Sequence, residues 1–111
     1  MTQNLKIDYI EFYSSRLEAT QDFFAQAFGW DFTDYGPDYR DIRNAGTGGG
    51  LERNGAAPPL IILRADDLQA AYDQVVAAGA QITREIYAFP GGRRFEFREP
   101  GGTDMGVWSE G

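Results

Sequence analysis

Ile10-Glu11-Phe12-Tyr13-Ser14-Ser15-Arg16-Leu17-Glu18-Ala19 and Ile61-Ile62-Leu63-Arg64-Ala65-Asp66-Asp67-Leu68-Gln69-Ala70 follow one pattern: an apolar strand, a short polar turn, then a helix opening on Leu-x-Ala. The correspondence continues outward from there. Asp22 matches Asp73, and Ala27-Phe28-Gly29 falls beside Ala77-Ala78-Gly79 after a slip of one residue. Each helix therefore ends on a glycine, the residue that most readily takes the left-handed conformation of a helix stop. A second strand follows each glycine, Asp31 to Tyr35 in the first half and Gln81 to Tyr87 in the second. An internal repeat of this kind decides the architecture, because each copy is one supersecondary unit.

The strands alternate with the period of half-buried strands. In the first, Ile10 and Phe12 oppose Tyr9, Glu11 and Tyr13; in the fifth, Ile61 and Leu63 oppose Leu60, Ile62 and Arg64. Later, Phe95 and Phe97 oppose Arg94, Glu96 and Arg98, while Met105 and Val107 oppose Asp104, Gly106 and Trp108. One face is apolar and is expected under the helices. The other mixes polar and aromatic groups, as the lining of a wet cavity would. Stripes of Leu17, Phe24, Ala27 and Phe28, and of Leu68, Tyr72, Val75, Val76 and Ala78, supply the covering helices. Phe23 and Phe24 are neighbours on one helix, so both cannot enter the same core. Asn44 to Pro59, with Gly48-Gly49-Gly50 and Pro58-Pro59, reads as a short fourth strand near Gly49 to Glu52 and then a linker. No Lys-Ser/Thr follows those glycines, so they are not a phosphate loop.

Composition narrows the function. Seventeen acidic against ten basic side chains give a net charge of -7, which opposes nucleic-acid binding, and no Lys/Arg run offsets it. No apolar stretch approaches the roughly 20 residues that span a bilayer. The start, Met1 to Lys6, is polar and lacks the apolar segment of a signal peptide, so a cytoplasmic location is expected. Aromatic residues reach 14%, enough to line a ligand pocket or an interface as well as a core.

Two βαβββ modules in tandem are similar to the architecture of the vicinal oxygen chelate superfamily, which includes glyoxalase I, bleomycin resistance proteins and extradiol dioxygenases. The resemblance runs from about Lys6 to Ser109. Its most specific local feature is Phe89-Pro90-Gly91-Gly92-Arg93-Arg94-Phe95-Glu96-Phe97-Arg98-Glu99-Pro100-Gly101-Gly102-Thr103-Asp104-Met105-Gly106-Val107-Trp108. This resembles the family's strand, Asp-Pro-Asp-Gly-Asn turn and closing strand, with Glu99 to Thr103 as the turn. Phe28-Gly29-Trp30 and Asp34-Tyr35-Gly36-Pro37-Asp38-Tyr39 resemble a small glyoxalase-like subgroup. The resemblance implies an α+β fold in one domain over residues 1–111, with modules at about 6–53 and 59–109 joined by a linker at about 54–58. It also implies a curved mixed β-sheet cup with helices on the outer face, and a homodimer.

In that superfamily a metal sits in the cup, held from the start of the first strand of each half and from the closing strand. Carried over by position, these ligands fall on Tyr9, Leu60 and Gly106; a fourth, from the strand near Gly50 to Glu52, is not placed. Leu60 and Gly106 offer no side-chain ligand, and Tyr9 is a poor one at neutral pH. The chain has no histidine and no cysteine, so the usual zinc, iron, nickel and copper sites cannot be built. Neither metal nor cofactor is expected. An oxygen-only site from Glu11, Glu96 and Asp104 for magnesium or manganese stays open, at positions other than the family's.

The remaining candidates lie on the polar face. Glu96 and Glu11 are the candidate general bases of a metal-free isomerase or lyase-like enzyme, with Arg94 holding an oxyanion; the alternative is that each carboxylate pairs with Arg94, Arg98 or Arg64. Arg94 can recognise a carboxylate bidentately. Tyr9, Tyr39, Phe89 and Trp108 can stack on an aromatic ligand or fill a dimer interface. Leu60, Ile62 and Asp104 complete the expected lining. The reading is a metal-independent binding protein for a small aromatic or carboxylate-bearing molecule. A dimeric interaction module without ligand is the third alternative.

Overall fold

The structure, a computed structural model, describes residues 4–111. The described residues form β1 (Lys6–Ser14), α1 (Leu17–Phe28), β2 (Asp31–Asp34), β3 (Tyr39–Arg43), β4 (Gly48–Arg53), β5 (Ala57–Arg64), α2 (Leu68–Ala77), β6 (Gln81–Phe89), β7 (Gly92–Arg98) and β8 (Asp104–Ser109). This is βαβββ twice, an α+β fold with the repeat that the sequence carries. Two compact units result: Tyr9–Leu60, and the segment through Asp8 together with Ile61–Gly111. Their limits fall inside β1 and β5. Pro58 and Pro59 belong to β5, where both are exposed. Proline is tolerated there because the described ladder of β5 with β8 begins beyond it, at Ile61.

In the unit Tyr9–Leu60 the strand order is β2-β3-β4-β1. β1 and β4 run parallel, pairing Tyr9 with Gly48 through Ser14 with Arg53, and β3 is antiparallel to β2 and β4. The second unit repeats this as β6-β7-β8-β5, with β5 and β8 parallel and β7 antiparallel to β6 and β8.

Each unit packs its helix side around its own core. Leu17, Ile42 and Leu51 are buried with Phe12, Trp30 and Phe32 against them, and Phe24 adds its ring 5.3 Å from Phe12 and 5.1 Å from Trp30. Phe23 faces outward, 59% exposed. In the second unit Ala65, Leu68, Ala71, Phe95, Phe97 and Val107 are buried, with Leu63, Tyr72, Val75, Ile82 and Met105 packed on them. Phe95 has lost all its exposure, which stabilises the fold by about 2–3 kcal/mol for the one side chain.

Both helical stripes are shorter than expected. Ala27 and Phe28 are exposed, because the Phe28 ring packs on Phe23, Phe24 and Trp30 and leaves its outer side in water. Val76 and Ala78 are exposed too. The buried stripe of α2 is Leu68, Ala71, Tyr72 and Val75, an i, i+3, i+4, i+7 set that leaves Val76 at its margin and ends before Ala78. Gly29 closes α1 in the left-handed region at φ 74, its N–H on the Ala25 carbonyl. In α2 the Asp67 carboxylate caps the start by accepting from the Ala70 N–H at 3.0 Å, and Gly79 takes the left-handed turn one residue past the cap. Between β7 and β8 the Glu99 carboxylate accepts from the N–H groups of Gly101 and Thr103, which holds it below the usual carboxylate range. Among the described residues no helix is long and apolar enough to cross a membrane.

Candidate functional site

The polar face of the second unit is built by register. Tyr87 on β6 pairs with Arg94 on β7, Arg94 with Trp108 on β8, and Arg64 on β5 with Trp108. The result is a row across four strands in which ring and guanidinium alternate: Tyr87, Arg94, Trp108, Arg64. The Arg64 guanidinium lies 5.0 Å from the Trp108 ring centre, and that of Arg94 5.6 Å from the Tyr87 ring. Arg84 adds a second cation at 3.6 Å from Tyr87. Each such contact contributes about 0.5–2 kcal/mol, the more so where water is excluded.

Glu96 anchors this row from the next pair along. Its carboxylate accepts from Arg94 Nη2 at 2.9 Å and from the Tyr87 hydroxyl at 3.2 Å, with Arg84 Nη1 at 3.9 Å. Burial pushes the Tyr87 phenol up to about 12, so it remains a neutral donor. On the other side the Trp108 indole N–H donates to Asp8 at 2.9 Å, and the Phe89 ring sits 6.2 Å away. Ile62 is buried opposite Gly106. Asp104 forms an exposed ion pair with Arg98 at 2.8 Å, beyond the aromatic row.

The polar face of Tyr9–Leu60 has another chemistry. Glu11 is only 4% exposed and accepts from the Tyr13 hydroxyl at 2.9 Å and from that of Tyr39 at 3.4 Å. Tyr39 and Tyr9 share a hydrogen bond between their hydroxyls. Burial, the dominant cause, pushes Tyr9 up to about 12 and Tyr39 further. Gly50 makes this meeting possible, because a Cβ there would overlap both hydroxyls. Leu60 is buried in the same unit.

A family model for the Glyoxalase/Bleomycin resistance protein/Dioxygenase superfamily matches residues 6–105. The chain belongs to this superfamily. Its fold is similar to that of the Mn(II)-bound glyoxalase from Novosphingobium aromaticivorans, with a TM-score of 0.71 and 23% identity over 99% of this chain. The chain spans 40% of that protein's length. A superfamily member from Vibrio splendidus 12B01 aligns with a TM-score of 0.71 and 18% identity, covering 96% of this chain and 99% of the other. Methylmalonyl-CoA epimerase from Mycobacterium tuberculosis gives 0.73 and 12%, covering 100% and 93%. Among curated proteins none matches the sequence.

At the three positions to which the resemblance carries the superfamily's metal ligands, the side chains do not suit a metal. Leu60 and Gly106 bring no donor atom, and Tyr9 is a neutral phenol engaged by Tyr39. Among the described residues no group of three His, Cys, Asp or Glu side chains is placed to hold an ion.

Of the expected residues, Phe89, Arg94, Glu96 and Trp108 come together in one unit, and Tyr9, Glu11 and Tyr39 in the other. Tyr87, Arg84, Asp8 and Tyr13 also belong to these two groups, beyond the residues expected from the sequence. Tyr87 was within reach, since it alternates with Phe89 along one strand. Arg84 was not. Two bulges in β6, between Ile82 and Arg84 and between Arg84 and Tyr87, turn Arg84 to the polar face against simple alternation.

Proposed function

We propose that this superfamily member binds a small molecule with an aromatic body and an oxygen-bearing, carboxylate-type group, holding it without a metal and without chemical change. The observation that carries the reading is the row Tyr87, Arg94, Trp108 and Arg64 with Phe89 beside it. Flat rings offer stacking area at low entropic cost, and guanidinium groups between them orient a polar substituent. Binding is favoured over turnover because both candidate bases are already engaged: Glu96 by Arg94 and Tyr87, Glu11 by Tyr13 and Tyr39. The reading includes a homodimer in the cytoplasm, with no role for nucleic acid or membranes, in keeping with the net charge of -7.

Thermal melting against a panel of aromatic acids, phenols and amides tests it. A true ligand at a hundred times its Kd should stabilise the protein by about 2.7 kcal/mol. Arg94→Met should remove that gain while the unliganded protein still melts cooperatively. A panel in which no member raises the Tm would sink the binding reading; turnover lost in Glu96→Gln would establish the enzyme instead.

A further inference from the structure

We infer that Arg64, stacked on Trp108, is the anion seat of this site, and that Glu110 fills it as an internal stand-in for the carboxylate of a flat aromatic acid. The inference rests on the binding role proposed above and specifies its ligand. The two guanidiniums in the row differ in what they can still accept. Arg94 is held by Glu96 at 2.9 Å, with its side chain 14% exposed. Its partner carboxylate is the more buried of the two guanidiniums' partners, 22% exposed, and is shared with Arg84 at 3.9 Å and the Tyr87 hydroxyl, so an incoming acid displaces it less readily. Arg64 is 35% exposed, and its described ionic partner is the Glu110 carboxylate at 3.1 Å, a side chain that is itself 69% exposed. An ion pair so open to water is weak and exchanges readily for an incoming carboxylate.

The geometry around it selects a flat acid. Trp108 is held by its N–H bond to Asp8, and Arg64 lies over its ring. Phe89 bounds the indole at 6.2 Å. A planar aromatic ring packed in this corner brings its carboxylate to Arg64, where the carboxylate of Glu110 now lies. Arg93 Nε donates to the Gly111 carbonyl at 3.2 Å, so the segment after β8 stays tethered while the Glu110 side chain swings away.

The test uses naphthoate and its uncharged isostere naphthamide, followed by NMR at the indole N–H of Trp108, which Trp108→Phe identifies against Trp30. Glu110→Gln removes the competing charge and should tighten naphthoate about fivefold, the range set by an exposed ion pair. Arg64→Gln should weaken naphthoate, and neither change should alter naphthamide. Unchanged naphthoate affinity in Glu110→Gln, or an equal effect on the amide, overturns the assignment. If naphthoate binds but only Arg94→Met weakens it, the binding reading survives and the Arg64 seat does not. If neither probe shifts Trp108 in wild type or Glu110→Gln, the Arg64 seat falls, and the binding reading stands or falls with the melting panel.

Discussion

The two units repeat one ladder pattern and differ in the charge it carries. In Tyr9–Leu60 one row across β1, β4 and β3 reads Tyr13, Glu52, Tyr39; the matching row across β5, β8 and β7 reads Arg64, Trp108, Arg94. The next row reads Glu11, Gly50, Asp41 in the first unit and Ile62, Gly106, Glu96 in the second. A glycine stands at the centre of both. The backbone has kept its register through the repeat, while the side chains have diverged to acids and phenols on one side, cations and rings on the other. The lesson is that a sheet fixes which positions face each other and leaves the chemistry of the row to the residues placed there.

The largest expected effect erases the contrast, because both cores are built alike. Phe95→Ala should cost about 3–5 kcal/mol and Leu51→Ala about 2–5 kcal/mol in urea denaturation. Gly50→Ala sharpens the comparison: with two hydroxyls in the way of the new methyl, it should cost about 1–3 kcal/mol. Glu11→Gln should cost about 1–3 kcal/mol, since it weakens the acceptor for two phenols in a site with little water. Trp108→Phe, which removes the indole N–H from Asp8 and the larger ring from Arg64, should cost about 1 kcal/mol.

The last contrast is silent at neutral pH. Folding raises Tyr9 and Tyr87 from 10.0 to about 12, and Tyr39 further, so the native state favours the protonated phenol. Their contribution is complete below pH 10 and is lost as pH climbs from 10 through about 12. Two of these phenols belong to the first unit and one to the second. Replacing Tyr9 and Tyr39 with Phe together should therefore flatten the alkaline fall of the urea midpoint more than Tyr87→Phe does. An equal effect would break the comparison.

Much of this was legible in the chain. The period-two alternation assigned Phe12, Phe95, Phe97, Met105 and Val107 to the helix side, and the structure packs them there. The adjacency of Phe23 and Phe24 required one to face outward, and Phe23 does. Less legible was the reach of the helices: Phe28 and Val76 fit the apolar period, but both are exposed. The polar face was identified as a set, yet not as two groups. Glu11 and Glu96 share a pattern in the sequence and have different partners, one between phenols and the other beside guanidinium groups.

By itself the sequence determined the doubled βαβββ plan, the two faces of each strand and the lack of imidazole and thiolate donors. These are local or compositional properties: alternation is set by the pleat, helix stops by glycine, and ligand chemistry by which side chains exist. Tertiary structure decided the rest. The bond of Trp108 to Asp8 joins residues 100 positions apart. The Tyr9–Tyr39 contact needs Gly50 beneath it, and Arg84 reaches Glu96 only through the bulges of β6. Such partnerships depend on which strand pairs with which and in what register, and that is fixed by the packing of the whole sheet.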